Sequence, residues 1–172
     1  MSVVDPVESL AARLRMAMGG TPSGVAILTT RDPDTNEPVG MVVSSFISVS
    51  LSPPSMAVAV NQSAKLHSAL VAHGKFCINL LDIQHCELVP VFSSAARRQE
   101  RFMGSDWRTL HGLECLEGAV AIFCTVSGAL VCGTHEIFVG EVSDVQLVGS
   151  FDALCWKSGR CHQLTALTAA SG

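Results

Sequence analysis

The sequence predicts a mainly β protein, an antiparallel barrel with peripheral helices. Three observations support this fold class: many short apolar runs rich in β-branched residues, turn residues at near-regular spacing, and no alternating βαβ units. With 172 residues the chain is expected to form one domain, with a core from about residue 10 to 163. The small, polar stretch 165–172 is expected to be a flexible tail.

The amino-terminal stretch predicts a helix that begins at Asp5 and ends at Gly19-Gly20. Asp5 is suited to cap it, and Pro6 fits the first turn. The following apolar residues fall on one face at helical spacing: Val7, Leu10, Ala11, Leu14 and Met18.

Most of the remaining chain is typical of strands separated by turns. The predicted strands are Val25–Thr30, Val39–Val43, Phe46–Leu51, Met56–Val60, Phe76–Leu81, Ala119–Val131, Ile137–Val148 and Leu154–Trp156. The run from Arg31 to Pro38 predicts a hairpin turn, and Ser52-Pro53-Pro54 is expected to close the third strand. Short helices are expected at Leu66–Ala72 and Ile83–Phe92, whereas Ser93 to Gly118 is expected to be irregular.

Composition limits the classes of function. The chain is 48% hydrophobic and 15% charged, which is too apolar for disorder and leaves apolar surface to cover, so a homodimer is expected. The net charge of −4 argues against nucleic acid as a partner. No signal peptide or membrane span is recognisable, and the seven cysteines lack C-x-x-C spacing, so a cytoplasmic protein without a disulfide framework or metal site is expected.

A hydroxyl-rich segment is the first candidate for ligand binding. Ser44, Ser45, Ser48 and Ser50 alternate with apolar residues, including Val49. Short donors and acceptors between apolar walls suit the rim of a flat heteroaromatic ring. Serines on the outward face of exposed strands would give the same pattern, and the residues alone leave both readings open.

Two further segments carry positive charge. Asn61-Gln62-Ser63-Ala64-Lys65 follows a strand and opens a helix, so that Ser63 as cap, free backbone amides and Lys65 would together form a phosphate seat. Arg97 to Phe102 holds three arginines that suit a polyanionic ligand. An ordinary helix cap and a solvated charge cluster are the alternatives.

His135 follows the turn Gly133-Thr134 at the start of an apolar strand. Its possible roles are a general acid, a metal ligand, a hydrogen-bonding wall for a second substrate, or a structural histidine. The absence of companion ligands at suitable spacing disfavours the metal. No hydrolase elbow, Rossmann fingerprint or P-loop is present.

These segments together resemble the short-chain flavin reductase family, from about Leu10 to Gln163. The resemblance is carried, in the family's order, by Gly24-Val25, Gly40-Met41-Val42-Val43-Ser44-Ser45-Phe46-Ile47-Ser48-Val49-Ser50-Leu51-Ser52-Pro53-Pro54, Phe76-Cys77-Ile78-Asn79-Leu80-Leu81, Arg101-Phe102 and Gly133-Thr134-His135. It implies a homodimeric FMN-binding split β-barrel, antiparallel and Greek-key-like, with peripheral helices. It also implies an NAD(P)H:flavin oxidoreductase that hands reduced flavin to a partner monooxygenase.

The resemblance assigns roles to residues of this chain. Met41, Val42, Val43, Ser44 and Ser45, with Ser48, Val49 and Ser50, would line the isoalloxazine ring and ribityl chain. Asn61, Ser63 and Lys65 would lie by the flavin phosphate, Arg101 and Phe102 complete the cofactor-binding set, and His135 would position the nicotinamide.

Two departures from the family pattern are visible. Val42 stands where a hydroxyl is common, and Gly159-Arg160-Cys161 stands where the family has Gly-Arg-Tyr. FMN against FAD and NADH against NADPH stay open. The alternatives are a non-catalytic flavin-binding barrel and a dimeric scaffold without ligand, while a pyridoxamine-phosphate-oxidase-like barrel fits Gly-Thr-His poorly.

Overall fold

The structure, a computed structural model, describes residues 9–104 and 106–167. Three α-helices are present in these ranges: α1 (Leu10–Gly19), α2 (Lys65–His73) and α3 (Leu88–Ser93). Two short 3₁₀ helices lie at Ile83–His85 and Arg98–Glu100. The strands are β1 (Ser23–Gly24), β2 (Ala26–Arg31), β3 (Pro38–Val43), β4 (Phe46–Leu51), β5 (Pro54–Asn61), β6 (Lys75–Leu80), β7 (Trp107–Leu110), β8 (Leu113–Leu116), β9 (Val120–Cys132), β10 (His135–Gln146), β11 (Cys155–Lys157) and β12 (Arg160–His162).

Seven strands form one antiparallel sheet in the order β3-β2-β6-β9-β10-β5-β4. Its two edge strands, β3 and β4, are consecutive in the chain and are separated only by Ser44 and Ser45. Three Cα–Cα steps can span no more than about 11 Å, so the edges must approach each other at this point. The sheet therefore coils into a barrel whose ladder stays open between β3 and β4. The prediction of a mainly β, antiparallel fold is confirmed.

The core lies on both sides of the first long strand. Ala26 and Leu28 belong to the cluster inside the barrel, whereas Val25 and Ile27 belong to a second cluster under α3. Side chains alternate between the two faces of a strand, so a strand covered on both faces must be apolar throughout. This explains the continuous apolar run in the sequence.

Helix α2 closes one end of the barrel with Leu66, Ala69 and Leu70, which are all buried in the inner cluster. It ends at Gly74, whose φ of 71° is the left-handed conformation common at helix ends. The contacts of Leu66, Ala69 and Leu70 hold the apolar face of α2 against the inner cluster.

Helix α1 has no buried residue. Ser9 is its N-cap and accepts a hydrogen bond from the Ala12 amide at 3.2 Å. The predicted start at Asp5 lies outside the described residues. Leu10, Leu14 and Met18, which were predicted to share an apolar face, are exposed within the chain.

The expectation that Ser93 to Gly118 is irregular was wrong. β7 and β8 form a hairpin there, joined by His111 and Gly112, which both have positive φ (53° and 78°). Positive φ at both central residues is typical of a type I′ hairpin turn, in which asparagine or aspartate is common at the first position and histidine is unusual. β7 is largely exposed, and its sequence, Trp107-Arg108-Thr109-Leu110, lacks the apolar alternation that predicts a strand.

Smaller differences concern element ends. The predicted helix at Ile83–Phe92 is divided into the 3₁₀ turn and α3, Pro54 begins β5 instead of closing a turn, and β12 was not predicted. Among the described residues, no helix has the length and apolar character needed to cross a membrane.

Candidate functional site

A cavity of about 280 Å³ lies where β3, the amino end of α2 and the segment after α3 meet. Gly40 and Met41 come from β3, and Lys65 comes from α2. Arg98, Arg101 and Phe102, from the segment after α3, also line the cavity. The fold thus brings together Met41, Lys65, Arg101 and Phe102 of the predicted site, from three separate parts of the sequence.

One side of this cavity is positively charged. The side chain of Lys65 is 57% exposed, and its Nζ lies 3.8 Å from Asp32 Oδ2, a weak pair that leaves the ammonium group accessible. The N-cap of α2 is Ala64, so no side chain occupies the first backbone amides of this nine-residue helix. Free amides at a positive dipole end, with a lysine beside them, suit an anionic group.

Ser63 is not the cap of α2, contrary to the sequence prediction. Its amide and hydroxyl both donate to Asn61 Oδ1, at 2.9 and 2.8 Å. The Ser63 hydroxyl is therefore bonded to the asparagine side chain and does not accept from the backbone amides of α2, and such local bonds of asparagine are common in turns. The consequence is that Ala64 takes the N-cap position and the amino end of the helix has no side-chain cap.

Arg101 and Phe102 hold the cavity wall against β3. The Arg101 guanidinium donates to the carbonyl oxygens of Gly40, Val91 and Ser94, at 2.6, 3.2 and 2.8 Å. Burial, followed by the like charge of Arg98, lowers the pKa of Arg101. The ring of Phe102 packs edge-on against Phe92, with centroids 5.2 Å apart.

Gly40 is required by this packing. A Cβ atom there would lie 2.8 Å from Phe102 Cζ, closer than Cβ atoms approach other side chains in proteins, and a tight 3.0 Å from Phe92 Cε1. The arginine and phenylalanine thus have a structural task at the cavity, and direct contact with a ligand stays a prediction for both.

The serine-rich segment lies at the open seam between β3 and β4. Ser45 is paired with β5: its hydroxyl donates to the Ala59 carbonyl at 2.8 Å. Ser50 accepts from the Ser52 amide at 3.0 Å. The hydroxyls of Ser44 and Ser48 form no hydrogen bond with any described residue, and Val49 is exposed beside them.

Valines 42 and 43 point into apolar clusters. Val43 is buried in the inner cluster, and Val42 packs against the cluster under α3. Any ligand at the seam would therefore meet their backbone groups and the free serine hydroxyls. Of the segment from Met41 to Ser50, Met41 alone lines the cavity described above.

His135 is the first residue of β10 and is exposed. It lies opposite Asn61 of β5 in the sheet register, and its Nδ1 is 3.0 Å from the Thr134 hydroxyl. Gln62 joins the loop before α2 to the turn before β10. Its backbone N–H donates to the Thr134 carbonyl at 3.0 Å, and its side-chain Nε2 donates to the Gly133 carbonyl at 3.1 Å. The predicted histidine and the predicted phosphate seat therefore belong to one connected frame.

Some participants were missed by the sequence reasoning. Phe92 lines the cavity, and no residue pattern indicates this. Ala64 also lines it and Gln62 connects the loops; both lie in the predicted phosphate-seat segment, but neither was assigned a role there. The pair of His67 and Glu136, 2.6 Å apart, was also missed. The sequence does contain a signal for this pair. Glu136 lies two residues before the apolar Phe138, so both side chains are on the same face of the strand, and a carboxylate on a buried face needs a partner.

Within the described part of the chain, no group of three or more His, Cys, Asp or Glu side chains is placed to hold a metal ion. The chemistry of the site is thus that of a cationic cavity wall, an uncapped helix end, a hydroxyl-bearing seam and an exposed imidazole.

Comparison with known proteins gives a consistent result. The flavin reductase like domain matches residues 18–165. The chain is 33% identical over 159 residues to the FMN reductase (NADH) RutF of Pseudomonas syringae pv. syringae, covering 91% of this chain and 88% of that protein.

Solved structures agree with this relationship. The Streptomyces globisporus NADH:FAD oxidoreductase SgcE6, in complex with NAD and FAD fragments, has a TM-score of 0.84 and 28% identity, covering 96% of this chain and 98% of that one. The styrene monooxygenase flavin reductase of Pseudomonas putida S12 has a TM-score of 0.81 and 25% identity, covering 91% and 99%. The match extends over nearly the whole chain in sequence and in fold, and this protein belongs to the flavin reductase-like domain family.

Proposed function

We propose that this protein catalyses the NAD(P)H-dependent reduction of a flavin, FMN or FAD, and releases the reduced flavin to a partner monooxygenase. The observation that carries the proposal is the connected frame of the site. The turn before His135 is bonded to the segment that ends at Lys65, so a nicotinamide-positioning residue and a phosphate seat share one support.

The donor set fits a flavin mononucleotide. A phosphate is a dianion, and the uncapped amides of α2 and the accessible Lys65 ammonium are the groups that bind such an ion. The free hydroxyls of Ser44 and Ser48, with backbone groups at the seam, suit the polar edge of a ring system. Met41 lines the cavity together with Lys65 and lies on β3, three residues before Ser44.

A flavin and a nicotinamide, when bound, would supply the chemistry of hydride transfer, and the protein would hold them. By holding both ligands in fixed positions, the protein would convert a bimolecular encounter into an intramolecular step. His135 offers an imidazole wall whose ring is held by Thr134, while Arg101 and Phe102 keep the cavity wall against β3. No acid–base pair is needed for this task.

A direct assay tests the proposal. Purified protein mixed with NADH or NADPH and with FMN, FAD or riboflavin should show flavin-stimulated loss of nicotinamide absorbance. No stimulation by any flavin would contradict the enzyme assignment. A yellow protein that keeps its flavin through dialysis and ignores NADH would instead indicate a flavin-binding barrel without nicotinamide chemistry.

The phosphate seat predicts a selective effect of Lys65→Ala. We expect the Kd for FMN to rise about fivefold, since an exposed charge contributes about 1 kcal/mol to an ion pair at low salt. The Kd for riboflavin, which has no phosphate, should change less than about twofold. Flavin fluorescence quenching measures both constants.

Lys75→Ala is the matched control, since Lys75 is an exposed lysine at the start of β6 and does not line the cavity. Equal losses for FMN and riboflavin would remove the phosphate role of Lys65. An effect that is unchanged between low and high salt would also contradict it, because accessible charges are screened.

We also propose a single flavin reductase-like domain that acts as a homodimer in the cytoplasm. Exposed apolar side chains on α1 and on the edge strand β4, Leu14 and Leu51 among them, support a subunit interface. The free thiols of all seven cysteines suit a reducing compartment. Light scattering of the eluted protein tests the dimer, and a monomer at micromolar concentration would contradict it.

A further inference from the structure

A histidine–glutamate pair joins helix α2 to strand β10. The Nε2 group of His67 donates to Glu136 Oε2 at 2.6 Å, and the two side chains are only 16% and 17% exposed. The imidazole ring also packs against Phe138, with centroids 5.6 Å apart. A short, charge-assisted bond in so shielded a place is stronger than an exposed pair.

The position of the pair links it to both halves of the site. His67 lies two residues after Lys65, and Glu136 directly follows His135. The pair therefore connects the helix that carries the proposed phosphate seat to the strand that carries the proposed nicotinamide residue.

Apolar packing alone does not fix the rotation and axial position of α2. Its buried residues, Leu66, Ala69 and Leu70, contact the inner cluster, and such contacts are non-directional. A hydrogen bond has a preferred distance and angle, so the His67–Glu136 bond adds a directional restraint on the rotation and axial position of α2. The bonds from Gln62 to Gly133 and Thr134 restrict the preceding loop in the same way.

We propose that His67 and Glu136 are a positioning pair for flavin reduction, which sets the amino end of α2 and Lys65 relative to His135. This inference rests on the proposed function. Neither residue lines the cavity, so they act on ligands through their neighbours. Breaking the pair is expected to weaken the binding of flavin phosphate and of nicotinamide together, although these ligands contact different residues.

The test uses Glu136→Leu, which removes the acceptor oxygens and leaves an apolar side chain that is one atom shorter. We expect the Kd for FMN, measured by fluorescence quenching without NADH, and the KM for NADH each to rise about fivefold, with kcat within about twofold. Glu136→Gln retains an acceptor oxygen for the His67 Nε2–H group and should recover most of both constants. His67→Phe keeps the ring on Phe138, loses the bond, and should behave like Glu136→Leu.

The chain offers a control pair on the same strand. His111 and Asp144 also form a histidine–carboxylate pair, at 2.7 Å, and their side chains are more exposed, at 51% and 33%. His111 packs against Phe123 with centroids 5.0 Å apart. Asp144→Leu should leave both constants unchanged, even where its thermal midpoint falls.

Several outcomes overturn the proposal. One is wild-type binding constants in Glu136→Leu and His67→Phe, and another is an equal effect of Asp144→Leu. A double variant His67→Phe/Glu136→Leu that is much worse than either single variant would also contradict a pair acting as a unit. A wild-type protein without flavin-stimulated NADH oxidation would instead contradict the proposed function, before any variant is compared.

Discussion

Gly140→Ala is expected to destabilise the protein by about 3 kcal/mol, the upper end of the range for overpacked cores. A Cβ atom at Gly140 would lie 2.5 Å from Phe76 Cζ and 2.8 Å from Cys124 Cβ. Phe76 is completely buried in the inner cluster, so its ring cannot turn into solvent to make room. Either the ring leaves its preferred rotamer or β10 moves away from β9. Urea unfolding followed by circular dichroism measures the change in the free energy of unfolding.

Gly128→Ala is the control for this prediction. Gly128 lies on β9, opposite Val139, and a Cβ atom there would have no neighbour within 4 Å. Its substitution should change the stability by less than about 0.5 kcal/mol or increase it slightly, because alanine restricts the unfolded chain. Phe76→Leu in the Gly140→Ala background should restore part of the loss. Equal stabilities of the two alanine variants would show that the contact of Gly140 with Phe76 is not limiting.

His135→Ala is expected to raise the KM for NADH about tenfold, which corresponds to about 1.4 kcal/mol of lost binding. The imidazole is exposed at the start of β10 and is oriented by Thr134, so its removal takes away a contact without disturbing the core. The Kd for FMN should stay within about twofold, because the phosphate seat belongs to α2. Steady-state kinetics with varied NADH, together with flavin titration, separates the two constants.

His162→Ala serves as the control, since His162 is also exposed and bonds the Lys157 carbonyl on the separate small sheet. An unaltered KM for NADH in His135→Ala would remove the assigned role of this residue. A parallel rise in the Kd for FMN would instead indicate that His135 supports the frame, as His67 and Glu136 are proposed to do. The two sets of variants therefore discriminate contact from positioning.

Most strands could be predicted because their signals are local. The run Phe46–Leu51 was predicted as a strand and is β4 with the same bounds. The run from Arg31 to Pro38 was predicted as a turn from its proline, asparagine and aspartate residues, and the backbone bonds between Asp32, Asn36 and Glu37 close it. In both cases the side chains within a few residues decide the backbone conformation.

The candidate site was only partly predictable, because it depends on contacts between segments that are distant in the sequence. The expected cap at Ser63 was wrong because the Asn61 side chain bonds Ser63, and the hairpin at β7 and β8 was missed because its exposed strand lacks alternation. Arg101 was predicted as a ligand-binding cation, and its three bonds to carbonyl oxygens are visible only in the folded chain. The assigned ligand contacts remain predictions.

The sequence by itself determined the mainly β class, the order of most elements and the family pattern. Apolar alternation, turn residues and motif spacing each depend on residues that are close together in the sequence. The tertiary structure alone decided which segments meet. β3 and β4 are two residues apart in the chain yet form opposite edges of the sheet, and His67 and Glu136 are 69 residues apart yet share a hydrogen bond. Such pairings depend on the burial of apolar faces and on loop closure across the whole chain, which no local pattern records.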